Sequence, residues 1–355
     1  MNEQKIEVYS RKQIVPAFIA LTVMVVGLFY AMNALQPLLL TNHYLFDFGE
    51  LLSGSAEGSL FYRIMWFFID ITEVNFIGSV PASILMCIMA FVAVYLKRKS
   101  SKANGTSVDR SVKIFSGVFL SMVLSLILSQ LLFGSMFSNG FILTFPVILS
   151  TQAFVIFYGP SSTKIITCTL VCTPVTFIVC QFLMVKFVSP LGLPLFLAVA
   201  VGLLVAIPIC GEIFRMMPWM KKEDPTPKLE ASNQMQFPAA VTMKSETRFY
   251  INRIFGDISE LTMWGGPLAT IGMYIGAIIS WILNPMHPTF SLGQFPLIMC
   301  AQILTAALSI LIYYPIWKKN GWAWTFAGPL FVSAIFVTYS LSPLLILATI
   351  IIGAV

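Results

Sequence analysis

Apolar residues along this chain do not alternate with polar ones; they come in continuous runs of about twenty or more, broken by short polar stretches. A helix needs about twenty apolar residues to cross a hydrocarbon core of roughly 30 Å. The lack of ten-residue alternating segments argues against an outer-membrane barrel. The runs fall at 14–40, 60–96, 113–137, 141–158, 164–187, 194–215, 248–284, 296–317, 322–339 and 341–355. They predict an all-α polytopic membrane protein of about ten transmembrane segments. The second and seventh runs are too long for one crossing, so each is expected to contain a broken or re-entrant portion. The last run, fifteen residues, reaches only about 22 Å at 1.5 Å per residue. The expectation there is a second half that stops short of the first.

Both over-long runs carry polar residues where a membrane helix is usually greasy: Asp70, Thr72, Glu73 and Asn75 in one, Asp257, Ser259, Glu260 and Thr262 in the other. Setting Asp70 against Asp257 (257 − 70 = 187) aligns residues 68–86 with 255–273 without a gap, and 8 of 19 positions are identical. Average residue usage gives roughly one or two such matches. A second phrase, NGFILTF at 139–145, returns as NGWAWTF at 320–326, at an offset of 181 (320 − 139). Pro16 and Pro194 open a third, weaker match. The order predicts two five-segment repeats, 1–190 and 191–355, the second containing a polar, proline-bearing linker at about 216–247. Five is odd, so the second copy is expected to be inverted in the membrane.

Charge adds sidedness. With the N-terminus placed in the cytoplasm, nineteen of the twenty-one Lys and Arg residues fall in inside loops, and only Arg63 and Lys186 fall outside. That is the positive-inside pattern. It also accounts for the net charge of +6 without nucleic acid. A composition of 58% hydrophobic and 10% charged residues, with mean hydropathy +0.87, fits an integral protein of a bacterial inner membrane. The first apolar run lacks a small-residue cleavage site and reads as a retained helix. All six cysteines lie within apolar runs, so no disulfide framework, metal site or cofactor is expected.

The polar phrases admit two readings. Asp70 with Glu73, and Asp257 with Glu260, have capping-box spacing and could simply start helices at an interface. Alternatively, Gly78 with Pro81, and Gly265 and Gly266 with Pro267, break each run and expose backbone at membrane depth, the sequence pointer to a transporter's binding site. The expectation combines both: each Asp caps a broken half-helix, and the two polar stripes bind a solute or ion. Arg63 and Arg253 precede the aspartates and read as interfacial anchors or as their partners. Asn139 and Asn320 read as turn residues, Glu212 and Arg215 as an interfacial pair, His43 and His287 as solvated loop residues, and Trp317, Trp322 and Trp324 as an interface belt.

Function follows as an expectation: a secondary transporter of a small polar or ionic solute, working by alternating access and coupled to protons or sodium. No GxxxxGK[ST] loop occurs, so the chain carries no ATPase of that type. The alternatives are a permease subunit of a multicomponent uptake system, phosphotransferase-like or otherwise energised, a channel, or a polytopic enzyme on lipid-linked substrate. The last is disfavoured because no His joins the paired carboxylates. Expected partners are the lipid bilayer, the solute, a proton or sodium ion and, optionally, a second copy of the chain.

Overall fold

The computed structural model describes residues 11–98, 112–221, 243–320, 323–340 and 342–355. Most of the expected linker, 222–242, lies outside them, as do Gly321 and Trp322. The described chain forms α1 (Val15–Leu39), α2 (Phe48–Ala56), α3 (Leu60–Glu73), α4 (Val80–Arg98), α5 (Val112–Phe133), α6 (Pro146–Tyr158), α7 (Ser162–Leu183), α8 (Leu195–Arg215), α9 (Met243–Ser259), α10 (Pro267–Leu283), α11 (Phe295–Asn320), α12 (Ala327–Thr338) and α13 (Pro343–Ala354), with no strand among the described residues.

Among the described residues, five helical stretches are long and apolar enough to cross a membrane: Val15–Leu39, Val112–Ser138, Ser162–Val188, Leu195–Arg215 and Phe295–Lys319. The pair α9 and α10 qualifies together but bends by 79° at its break. This is an α-helical membrane protein. Val23 on α1, Leu131 on α5 and Leu204 on α8 are each about 70% exposed or more, an apolar surface of the kind that faces lipid.

Where the structure differs from ten simple crossings, it does so in matched places. The run 60–96 splits into α3 and α4 at residues 74–79, and the run 248–284 splits at 260–266. Helices α6 and α12 have only 13 and 12 residues, roughly 20 and 18 Å of helix. Each follows a non-helical approach in the NG…TF phrase, at 140–145 and in the described part of 321–326. Gln181 of α7 supports the first of these: its Oε1 accepts from Leu143 N at 2.8 Å and its Nε2 donates to Phe141 O at 3.3 Å. A side chain thereby replaces the missing helical bonds.

At the centre, α4 and α10 are the most extensively paired helices. Their backbones nearly touch. A Cβ on Gly276 would stand 2.3 Å from Pro81 O, and one on Gly272 would stand 2.5 Å from Leu85 O. Leu85 and Gly272 are themselves 187 residues apart, so at this crossing one position of the aligned phrase meets its own counterpart.

Candidate functional site

Each break begins where a helix runs out of partners. Helix α3 ends at Glu73 and α9 at Ser259, and the chain then turns through a non-glycine residue in the left-handed region: Phe76 (φ 58°) in the first, Met263 (φ 57°) in the second. These two are also 187 apart. The turns close alike, Phe76 N donating to Glu73 O and Met263 N to Glu260 O, both at 2.8 Å. A large side chain held at positive φ is uncommon, and burial explains its retention. Phe76 packs against Leu330 and Ala334 of α12, while Trp264, next to Met263, packs on Phe119 of α5 at 5.4 Å between ring centroids. The anchor of each turn thus lies in the other half of the chain.

Hydroxyls tie each break shut. Thr72 Oγ1 lies 2.9 Å from Ser83 Oγ and accepts from Ser79 N at 3.4 Å. Ser259 Oγ lies 2.7 Å from Thr270 Oγ1 and accepts from Gly266 N at 2.9 Å. Ser83 and Thr270 in turn donate back to the carbonyls of Phe68 and Phe255. Every member of the first set is 187 residues before its counterpart. Backbone freed by the break is satisfied here by buried side chains, as main-chain polar groups away from water require. Gly265 is needed because a Cβ there would stand 2.2 Å from Ser259 O, whereas one on Gly78 would meet only the Ile69 side chain at 3.1 Å.

The second half-helices start differently. Ser79 is the N-cap of α4, its Oγ accepting from Ala82 N at 3.3 Å and meeting Ser280 Oγ of α10 at 2.5 Å. The first helical amide, Val80 N, donates to His287 Nε2 at 3.4 Å. In the second half Gly266 occupies the cap position, and Pro267 carries no amide hydrogen to satisfy. Asp70 and Asp257 therefore start no helix: they sit one turn or less from the C-terminal ends of α3 and α9. The true capping box belongs to Asp47 and Glu50 at the start of α2. Carboxylates at a helix C-terminus meet the negative end of its dipole, so both aspartates stand where electrostatics opposes them.

The halves answer that problem in different ways. Asp257 and Glu260 close on Arg253, whose guanidinium binds Asp257 through Nε at 2.5 Å and again through Nη2, and Glu260 through Nη2 at 2.9 Å. The same guanidinium lies 4.3 Å from the Trp317 ring, a cation–π contact. Asp70 and Glu73 are also fully buried, with each other for company. Asp70 Oδ2, Glu73 Oε1 and both polar side-chain atoms of Asn75 have no hydrogen-bond partner among the described residues. The Thr of each NG…TF phrase completes the picture: Thr144 donates to Asp70 Oδ1 at 2.8 Å and Thr325 donates to Asp257 Oδ2. Each threonine takes an indole N–H in turn, Thr144 from Trp66 at 3.1 Å and Thr325 from Trp317 at 3.0 Å.

Several sequence expectations are corrected by this geometry. Arg253 is no interfacial anchor but a buried ion-pair partner, and Trp317 is a buried donor rather than part of a belt. Arg63 turns away from Asp70 and donates to Gly134 O at 3.3 Å. His287 is not solvated: it is buried, with Nδ1 2.7 Å from Phe46 O. Burial lowers its pKa from the usual 6.5, against smaller opposing effects of the Phe46 carbonyl and Asp47. The neutral tautomer that donates from Nδ1 and accepts at Nε2 fits both contacts. His43 is exposed beside Glu50, and Glu212 and Arg215 form an exposed pair at 2.7 Å. Thr72, Ser259 and Thr262 are engaged in holding the breaks, Thr262 through Ser259 O at 2.8 Å. Gln302 was missed by sequence reasoning. From α11 it donates to Asn75 O at 2.7 Å and to Ser333 Oγ at 2.8 Å while accepting from Tyr274, so it ties the first break to α10 and α12. A cavity of about 440 Å³ opens beside Thr325, Trp324, Ser309 and Gly328 between α11, α12 and α13.

No family model matches this chain, and comparisons with curated proteins and with solved structures find no match either. Function therefore rests on the geometry.

Proposed function

We propose that the chain is a secondary transporter of a small polar or ionic solute, built from two inverted five-segment repeats and working by alternating access with proton or sodium coupling. The observation that carries this reading is the pair of breaks. Two discontinuous helices, with the same bonds at positions 187 apart, cross through α4 and α10 and display buried carboxylates beside non-helical backbone. Broken helices in corresponding positions of two halves are the structural pointer to a carrier's site near the bilayer midplane. Backbone without helical bonds is tolerated at that depth only against protein or a wet cavity. In the proposed orientation the N-terminus is cytoplasmic, the first break is entered from outside and the second from the cytoplasm.

Purified protein in proteoliposomes, screened for counterflow with a panel of small polar solutes, tests the reading. Saturable counterflow is expected for one chemical class, and Asp70→Asn and Asp257→Asn are expected to abolish it while leaving insertion intact. Flux that rises linearly without counterflow would make the protein a channel, and full activity of both variants would remove the carboxylates from the mechanism.

A further inference from the structure

We infer that the two halves differ in their cations: Arg253 is a built-in cation of the second break, and the Asp70–Glu73–Asn75 cluster of the first break is the site of one exchangeable monovalent cation. The role assigned to that cation, coupling, rests on the transporter reading; the site itself does not.

The argument is an internal comparison. At the position four residues before each aspartate, the first half has Trp66 and the second has Arg253, which are 187 apart. In the second half this residue places a positive charge against both carboxylates, Asp257 and Glu260. In the first half it is an indole whose N–H is spent on Thr144, and the carboxylates equivalent to that pair keep one oxygen each without a partner. Two adjacent buried carboxylates require a proton or a metal cation between them. Two residues after Glu73, the Asn75 side chain is wholly buried and likewise without a partner, so its Oδ1 is a third oxygen that nothing described satisfies. Oxygen-only donors suit a proton or a hard metal cation, not a thiophilic metal; the three unpartnered oxygens here are fewer than the roughly six to eight that calcium takes, and a buried turn does not supply the several waters that magnesium keeps.

Among the described residues of α3 and the helices packed on it, no other charge is placed to substitute. On α3 itself, Arg63 lies two helical turns away and binds Gly134 O. The acids of α2, Asp47 and Glu50, are occupied with each other's backbone amides. Helices α4 and α5 carry charged residues only at Lys97, Arg98 and Lys113, at their far ends or first turn.

The full chain in lipid nanodiscs supplies the test without any solute. Binding of radioactive sodium at fixed alkaline pH is one arm, and proton uptake across a sodium-free pH titration is the other. Either about one sodium per chain, competed by protons, or about one extra buffered proton in sodium-free medium is expected, and the arm that responds identifies the ion. Asp70→Asn should weaken that binding at least about tenfold, the loss of one charged ligand. Asp257→Asn should leave it in place. Trp66→Arg, which copies the second half, should abolish it by tethering a positive charge; if that variant does not fold, Asp70→Asn carries the test alone. Loss in Asp257→Asn with retention in Asp70→Asn, or no cation in either arm, overturns the inference. Cation binding without solute flux would sink the transporter reading and leave the site; solute counterflow with no cation in either arm would do the reverse.

Discussion

Trp66 and Arg253 occupy one position of a repeated phrase, and the contrast between them separates two jobs that the phrase performs. The hydroxyl ladder through Thr72, Ser79 and Ser83, and through Ser259, Gly266 and Thr270, is the same in both halves. It makes a broken helix. The charge balance is not the same: one half closes on its own guanidinium and the other leaves carboxylate oxygens without partners. Backbone satisfaction is thus shared, while electrostatics is free to diverge, because the ladder uses neutral groups that do not sense what stands beside the aspartate.

The sharpest break of that comparison is Arg253→Met. Removing one member of a buried ion pair strands Asp257, and the expected loss is about 3–5 kcal/mol. It should appear as a large drop in the midpoint of thermal unfolding followed by size-exclusion recovery. Combining it with Asp257→Asn should restore much of the loss, whereas Asp70→Asn alone should cost little, since no resident cation is orphaned. Equal losses for Arg253→Met and Asp70→Asn would erase the distinction between the halves.

Steric demand gives a smaller contrast. Gly265→Ala drives a methyl group into Ser259 O and should cost about 1–3 kcal/mol, the range for overpacking; Gly78→Ala, facing only a side chain that can shift, should cost less. Matching midpoints would show that the two turns are equally tolerant.

The smallest effect concerns Val80 and Pro267, again one position of the phrase. Only Val80 has an amide hydrogen, and only the first half needs His287. Because burial lowers the pKa of His287 below 6.5, the unfolded chain binds the proton more readily than the folded one. Its contribution is therefore complete above about pH 6.5 and is lost as pH falls through the lower folded value. The size expected is about 1 kcal/mol, one hydrogen bond. Thermal midpoints measured from pH 8 to pH 5 should fall more steeply for the native chain than for His287→Phe; parallel curves would dissociate His287 from the break.

Much of this was legible in the sequence because membrane insertion writes in long apolar runs and because repetition is visible without knowing a fold. The runs located α1, α5, α7, α8 and α11, and the polar phrases located both breaks. Direction was not legible: Asp and Glu at a spacing of three look alike at a helix start and at a helix end, so Asp70 was read as a cap when Ser79 holds that place. Partners from distant elements were hidden for a different reason, since Gln302 and His287 stand alone in their local sequence. Thr144 and Thr325 were within reach. They are the shared threonine of the second repeated phrase, and two phrases conserved between the halves have cause to touch. The brevity of α6 and α12 escaped because apolar residues continue through the non-helical approach to each.

The crossing of α4 and α10 has a mechanical consequence. Rods that meet through interlocked side chains must re-sort rotamers to turn against each other, but here carbonyl faces glycine at Leu85 and Gly272 and at Pro81 and Gly276. With no side chain between the two backbones there, a single methyl group added at Gly272 or Gly276 would press directly on the opposite helix, and at Gly272 on its own counterpart in the first half.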